Sequence, residues 1–210
     1  GVIADDLGLL YAAQRGQGTA LEPAPRYADY ARWERAEAVT PMAQTQLAYW
    51  LGQYPGHTLP ALELPLDRPR AARRSFDARR ADVLLPAPLV EAARQLGARA
   101  GVSLFATLFS VFAALVHRLS QQDDLVVGVP SAGQAASGMP KLVGHCVNLL
   151  PVRVAIDPTQ PFDVLLRQIA NTLLDAFDHH TLTCGTLLRH LPVRRDPSRP
   201  SLVSVMFNLD

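Results

Sequence analysis

Histidine and cysteine side chains in the second half of the chain are the first candidates for chemistry. His145 and Cys146 are adjacent in "VGHCVNLLPVR", and three further side chains of these types follow at His179, His180 and Cys184. Together they could supply the nitrogen and sulfur ligands of a zinc ion. Adjacent residues on a strand point to opposite faces, however, and no CxxC or HxxxH spacing is present. The pattern therefore favours buried or half-buried polar residues over a metal site, and we expect no metal.

Cys146 could also act as a nucleophile with His179 as its base. No local signature of a known catalytic cysteine surrounds Cys146. A free cysteine is most often a small buried apolar residue. We interpret Cys146 as a packing residue, and the nucleophile pair stays an alternative that the fold must bring together.

Two further motifs resemble binding sites only superficially. The stretch "GVPSAGQAASG" is rich in small residues but has neither the GK[ST] ending of a phosphate-binding loop nor a GxGxxG pattern. Asp123 and Asp124 lie between the end of a predicted helix and the start of a predicted strand, where turns favour aspartate. We interpret the pair as turn residues.

Arg153 lies in a strand-like apolar run, where an inward-pointing arginine needs a partner. Asn148 precedes it by five residues, so the two side chains lie on opposite faces of a regular strand. Pro151 between them indicates an edge strand or a bulge, and a bulge would break that parity. A structural ion pair and an exposed arginine both remain open.

Composition limits the class of protein. The chain has 210 residues, of which 49% are apolar and 19% charged, as in ordinary globular proteins. The net charge of +1 gives no case for binding nucleic acid. The longest apolar stretch, 104–116, is too short to span a bilayer, so we expect no membrane partner. Two cysteines make no disulfide framework, and a reducing cytoplasm is the simplest inference.

Hydrophobic periodicity predicts three helices, a Pro- and Arg-rich linker at 55–75, and then alternating strands and helices. The predicted helices are 1–15, 26–38, 41–54, 88–101, 104–119, 162–177 and 185–191, and the predicted strands are 76–85, 124–130, 145–156 and 201–210. This order indicates an α/β (α+β) fold with a mixed sheet. The chain lacks an initiator Met and a signal peptide, so we expect a piece of a longer polypeptide.

Six short motifs in order resemble those of the condensation domains of nonribosomal peptide synthetases, within the chloramphenicol-acetyltransferase-like superfamily. They are "YADYARWER" (27–35), "LAYWLGQ" with "LELPLDRPR" (47–70), "SLFATLFSVFAALVHRLSQQDDLVVGVPSAGQ" (103–134), "LVGHCVNLLPVR" (142–153), "AFDHHTLTCGTLL" (176–188) and "RRDPSRPSLVSVMFNLD" (194–210). The resemblance implies a two-lobed fold with a mixed sheet flanked by helices, incomplete in this chain. Residues 1–70 would form the end of the N-terminal lobe and the interlobe linker, and residues 71–210 an incomplete C-terminal lobe.

The resemblance implies that the intact domain joins an acceptor amine to a donor acyl thioester as an amide. Donor and acceptor carrier proteins would present both substrates on phosphopantetheine arms, and no cofactor would be bound directly. Other expected partners are the missing N-terminal part of the domain and neighbouring synthetase domains. The family's catalytic HHxxxDG motif is not in this sequence and is expected just upstream of Gly1, so this chain alone is expected to be inactive. The alternative is a non-catalytic platform that recruits a carrier protein or a tailoring enzyme.

Residue roles follow from the same resemblance. Arg153 matches the arginine that pairs with the aspartate of HHxxxDG, and Asn148 is a second supporting residue. Asn208 matches a position that faces the tunnel between the lobes. The crossover loop between the lobes is expected to include Gly133, Gln134, Ser137 and Gly138. His179 matches a motif histidine that we interpret as structural. Gln134 replaces the usual arginine of its motif, which leaves the substrate subtype open.

Overall fold

The structure, a computed structural model, describes residues 1–18, 21–57, 59–134, 136–193 and 196–209. Arg194, Arg195 and Asp210 of the last sequence motif therefore lie outside the described residues. The elements are helices α1 (Val2–Gln14), α2 (Tyr27–Glu37), α3 (Pro41–Gly52), α4 (Ala87–Ala100), α5 (Leu104–Ser120), α6 (Phe162–Asp178) and α7 (Cys184–His190), a 3₁₀ turn at Pro55–His57, and strands β1 (Asp124–Ala132), β2 (Val147–Ala155) and β3 (Val205–Met206). All seven predicted helices are confirmed to within a few residues.

The sheet is mixed, as the sequence predicts, with the strand order β2-β1-β3. β1 and β2 run antiparallel in an unbroken register from Asp124 opposite Ala155 to Ala132 opposite Val147. β1 and β3 run parallel over two residues. The register contains no bulge, so Pro151 marks an edge strand, and the side chains of Asn148 and Arg153 keep opposite parity.

Two predicted strands are wrong in whole or in part. Residues 76–85 form no strand, and Phe76 and Leu84 are 87% and 94% exposed. An isolated extended segment has no hydrogen-bonding partner, and none of the described residues supplies one. The predicted strand at 201–210 shrinks to Val205–Met206, because the preceding serines lie in bends after Pro200 and only two residues reach the edge of β1.

The main core lies between the sheet and helices α5 and α6. Phe109 and Ala113 of α5 and Leu166 of α6 are completely buried. α5 is less central than its composition suggests, because the stripe Val111, Leu115 and Leu119 is about half exposed. The same core includes Trp50, Tyr54 and Leu62, so α3 packs with the sheet. The division of the chain near residue 70 stays a prediction.

α4 and α5 meet in a tight corner. Gly101 ends α4 with a positive φ of 73°, and the Ser103 side chain caps α5 by accepting a hydrogen bond from the Ala106 N–H. No single helix among the described residues is long and apolar enough to cross a membrane; only α4 and α5 taken together, across a 106° bend, have that length and composition. The two helices pack closely at Gly97, where a Cβ atom would lie 2.2 Å from Thr107 Oγ1.

We predict that Gly97→Ala destabilises the fold. The added methyl overlaps Thr107 and approaches the Val102 carbonyl to 3.1 Å. Overpacking of this kind costs about 1–3 kcal/mol, which exceeds the gain of about 1 kcal/mol from the better helix propensity of alanine. Chemical denaturation measures the difference. Gly185→Ala in α7, where a Cβ meets nothing within 4 Å, is the matched control and should not lower stability. Equal losses for both variants would contradict the close packing.

Candidate functional site

Strand β2 carries two of the predicted site residues, Asn148 and Arg153, and forms one edge of the sheet. A sheet edge exposes backbone groups that need partners. The fully buried Tyr54 donates its hydroxyl hydrogen to the Pro151 carbonyl at 2.8 Å. Pro151 has no N–H, so at this edge only its carbonyl needs a hydrogen-bond partner. The Tyr54 hydroxyl is that donor. Burial raises the pKa of Tyr54 and keeps its hydroxyl a donor.

Asn148 ties β2 to the loop between α6 and α7. Its side-chain nitrogen donates to the His180 carbonyl at 2.8 Å and to the Leu182 carbonyl at 2.6 Å. Its side-chain oxygen accepts from the Cys184 N–H at 3.1 Å and from the Leu149 N–H at 2.9 Å. The amide therefore uses both of its hydrogens and both of its lone pairs. These hydrogen bonds of Asn148 fix the backbone path of residues 180–184.

Helix α3 holds the start of the same loop from the other side. The Trp50 indole donates to the His179 carbonyl at 2.8 Å. The Tyr49 ring stacks on the His179 ring with a centroid distance of 3.7 Å. Burial, with Asp175 and Asp178 nearby, raises the pKa of Tyr49 to about 12. These contacts support the structural interpretation of His179.

Arg153 has its ionic partner within the chain. Its Nε and Nη2 donate to the two carboxylate oxygens of Asp124 at 2.8 and 2.6 Å, and its Nη1 donates to the Gln53 carbonyl at 2.7 Å. The guanidinium carbon lies 5.6 Å from the Tyr54 ring centroid. Hydrogen bonding to Asp124 raises the pKa of Arg153. Of the two open interpretations the structural ion pair is confirmed, while the pairing with an upstream aspartate stays a prediction.

Sequence reasoning missed Asp124 as this partner. Asp123 lies in a bend and accepts from the Ile156 N–H through its carbonyl at 2.8 Å, as a turn residue should. Asp124 is instead the first residue of β1 and lies diagonally across from Arg153 on the same face. The contact depends on the register between β1 and β2, which cannot be read from one sequence.

The predicted crossover loop forms compact turns. The Ser137 hydroxyl donates to the Gln134 carbonyl at 2.8 Å, and the Ser137 N–H donates to the Gly133 carbonyl at 3.2 Å. Gly138 adopts a positive φ of 70°. A Cβ at Gly133 would lie 2.6 Å from the Tyr30 hydroxyl, so the loop packs closely against α2 at this point. Contact of this loop with another lobe stays a prediction.

Asn208 lies two residues beyond β3 and is exposed. The preceding Phe207 donates its N–H to the Gly128 carbonyl at 2.9 Å, and its ring contacts those of Phe105 and Phe109. Phe207 thus anchors the backbone next to Asn208. The tunnel-facing role of Asn208 is a prediction that these contacts do not test.

The histidine and cysteine candidates are not brought together. His145 is exposed, whereas Cys146 is buried against Tyr30 and Leu142, so the adjacent pair points in different directions. Within the described ranges, no group of three or more His, Cys, Asp or Glu side chains could hold a metal ion. Burial raises the pKa of the Cys146 thiol, which lowers the thiolate fraction that a nucleophile needs. Cys146 is a packing residue.

Comparisons with known proteins agree with the motifs. The family model described as "Condensation domain" matches residues 1–210. Phosphinothricin tripeptide synthetase PhsC from Streptomyces viridochromogenes is 36% identical over 212 residues, which cover 100% of this chain and 19% of PhsC. The chain therefore belongs to the condensation domain family, and it spans about a fifth of the length of this relative.

Two solved structures share the fold. The four-domain nonribosomal peptide synthetase AB3403 matches with a TM-score of 0.81 and 21% identity, over 96% of this chain and 16% of AB3403. The X-domain from teicoplanin biosynthesis matches with a TM-score of 0.82 and 22% identity, over 98% of this chain and 47% of the X-domain. At these identities the likeness concerns the fold alone.

We predict that Asp124→Ala destabilises the fold by about 1.5–3 kcal/mol, the usual cost of losing hydrogen bonds to a charged group. The loss should stay below that of a fully buried ion pair, because the Asp124 side chain is 41% exposed while that of Arg153 is 18% exposed. Chemical denaturation measures it.

The control is Glu91→Ala, which removes the exposed pair between Glu91 and Arg94. It should cost about 0.5 kcal/mol or less. If both variants lose the same small amount, Asp124 does not hold Arg153 in the way described.

We predict that Asn148→Ala loosens the loop without unfolding the sheet. It leaves the His180 and Leu182 carbonyls and the Cys184 N–H without their partner. Hydrogen exchange of residues 180–184 should accelerate by about tenfold or more, because each such bond is worth about 1 kcal/mol. Thr172→Ala removes one hydrogen bond inside α6 and is the control. Unchanged exchange in the loop would show that α3 alone holds it.

Proposed function

We propose that this chain is part of an amide-forming condensation domain in a nonribosomal peptide synthetase or a hybrid polyketide/peptide synthetase. The match of the condensation domain family over residues 1–210 is the observation that carries the proposal. In the reaction, the acceptor amine attacks the carbonyl carbon of the donor thioester. The C–N bond forms, the C–S bond breaks, and the donor's phosphopantetheine arm leaves as a thiol that takes up the proton lost by the amine.

The residues of this chain support the reaction rather than perform it. Asn148 and Arg153 use their polar atoms to hold β2, the end of α3 and the loop before α7. The proposed chemical groups are those of HHxxxDG, which is not among the 210 residues. An upstream aspartate would add a second carboxylate to an arginine that Asp124 already orients. We propose that the chain by itself is inactive.

Exposed apolar surfaces support the proposal that further parts of the domain pack against this chain. No residue of α1 is buried, and Ile3, Leu7 and Tyr11 are 68%, 66% and 63% exposed on neighbouring turns of its surface. α5 shows a similar stripe at 111, 115 and 119. Contiguous exposed apolar surface of this kind marks contact sites. We assign 1–70 and 71–210 to the two lobes, with Gly133–Gly138 crossing between them and Asn208 at the tunnel.

The proposed partners are a donor and an acceptor carrier protein, the remainder of the domain and neighbouring synthetase domains.

Cys146 and Cys184 are both free thiols. Their state suits a reducing compartment, and we place the protein in the cytoplasm.

A second candidate is a non-catalytic platform. The X-domain, which shares this fold, has also been solved in a complex with OxyB. A domain of this fold can therefore serve as a docking surface for another protein. The two candidates differ in one feature, the presence of an intact HHxxxDG in the same polypeptide.

The test is transfer between two loaded carrier proteins, followed by intact-protein mass spectrometry of the acceptor. The full polypeptide that carries this chain should add the donor acyl mass to the acceptor, and alanine at the second histidine of HHxxxDG should abolish the addition. The 210-residue chain alone should give none. Transfer by the chain alone would overturn the proposal that the chemical groups lie outside these 210 residues. No transfer by the full polypeptide would favour the non-catalytic platform.

A further inference from the structure

A cavity of about 270 Å³ lies between α2, the loop after β1, and the segment that leads into α7. This volume is slightly smaller than that of pockets for drug-sized ligands, which begin at about 300 Å³, so the cavity suits a smaller molecule. Its walls differ in chemistry. Charged side chains of both signs and two aromatic rings line it, namely Tyr30, Trp33, Glu34, Arg35, Glu37 and Arg189.

The α2 wall carries two carboxylates, Glu34 and Glu37, together with Arg35. Glu34 and Glu37 are one helical turn apart and both are half-buried. Among the described residues, neither carboxylate has a basic nitrogen within 4.0 Å. A partly buried carboxylate without a cation loses hydration that nothing replaces. This wall is therefore suited to a cation that enters from solvent.

The opposite wall is basic. Arg189 of α7 donates to the Thr186 hydroxyl at 2.9 Å, which orients the guanidinium along the helix. Within the described residues no carboxylate oxygen lies within 4.0 Å of Arg189, nor of Arg35 on the α2 wall. Opposite charges thus face one cavity without pairing. A ligand that carries both signs would satisfy both walls at once, since electrostatic complementarity selects such a ligand.

Aromatic rings form the third wall. Tyr30 is buried and Trp33 is half-buried, with ring centroids 5.5 Å apart. The Tyr30 ring packs tightly against Gly133, so it offers a fixed apolar surface. Aromatic rings beside carboxylates favour ammonium groups and apolar side chains.

We propose that this cavity reversibly binds a free zwitterionic α-amino acid with an apolar side chain. The ammonium group is held by Glu34 and Glu37, the carboxylate by Arg189, and the side chain by Trp33. The site carries out no bond-making step. Binding at this site does not depend on the proposed amide-forming activity.

The test measures binding of L-leucine to the full polypeptide that carries this chain, by calorimetry and by the fluorescence of the cavity tryptophan. N-acetyl-L-leucine lacks the ammonium charge and L-leucinamide lacks the carboxylate. Each should bind at least about tenfold more weakly than L-leucine, as the loss of a hydrogen-bonded charge predicts. Glu37→Gln and Arg189→Gln should each weaken L-leucine binding by a similar factor.

Glu91→Gln and Arg94→Gln, which alter an exposed pair away from the cavity, are the matched controls and should leave binding unchanged. Equal binding of L-leucine and L-leucinamide would overturn the zwitterion, because a cation alone would then suffice. No binding of L-leucine, or equal effects of the control variants, would overturn the site. Carrier-to-carrier transfer measured on the same preparation shows separately whether the proposed amide-forming function stands.

Discussion

The covering of β2's outer edge is the constraint on which the rest of this structure depends. An edge strand presents backbone groups that water or another strand would otherwise satisfy. Here Tyr54 bonds the Pro151 carbonyl, Asn148 joins the strand to the loop before α7, and Arg153 reaches the end of α3. Of these contacts, that of Tyr54 satisfies a backbone group of the strand, and the other two join side chains of β2 to the backbone carbonyls of His180 and Gln53. The contacts of Tyr54 and Arg153 fasten the end of α3 to the sheet, and that of Asn148 fastens the loop before α7.

This arrangement gives the polar residues in the strand a structural role. Asn148 uses all of its hydrogen-bonding groups within the fold, and Arg153 uses three of its five N–H groups there. Both side chains therefore stabilise the geometry of the fold. By contrast, the charges that face the cavity between α2 and α7 have no partners of opposite sign within the described residues. The contrast separates residues that hold the fold from residues that are available to a ligand.

The sequence predicts most of the fold because its helices carry strong local signals. Ser103 caps α5 and Gly101 ends α4, and the continuous apolar run Leu125–Val129 marks a buried strand. The failures concern pairing. Residues 76–85 have the composition of a strand but find no partner, and 201–210 pairs over only two residues. Strand formation depends on a neighbour that no local pattern specifies.

The site was only partly predictable, because it too depends on how the strands pair. Arg153 was recognisable as an arginine that needs a partner, but its partner Asp124 depends on the register of two strands. The hydrogen bond from Trp50 to His179 joins residues 129 positions apart, and that from Tyr54 to Pro151 joins residues 97 positions apart. Only the fold brings these residues together. Packing of α3 onto the loop before α7 likewise has no signature in sequence spacing.

The chain belongs to the condensation domain family, and we propose that the chemical groups of the reaction lie elsewhere in the same polypeptide. The most direct measurement is the intact mass and sequence of that polypeptide, read through the segment that immediately precedes Gly1. The account predicts an HHxxxDG motif there. A segment without it, or one in which the second histidine is replaced, would contradict an amide-forming role.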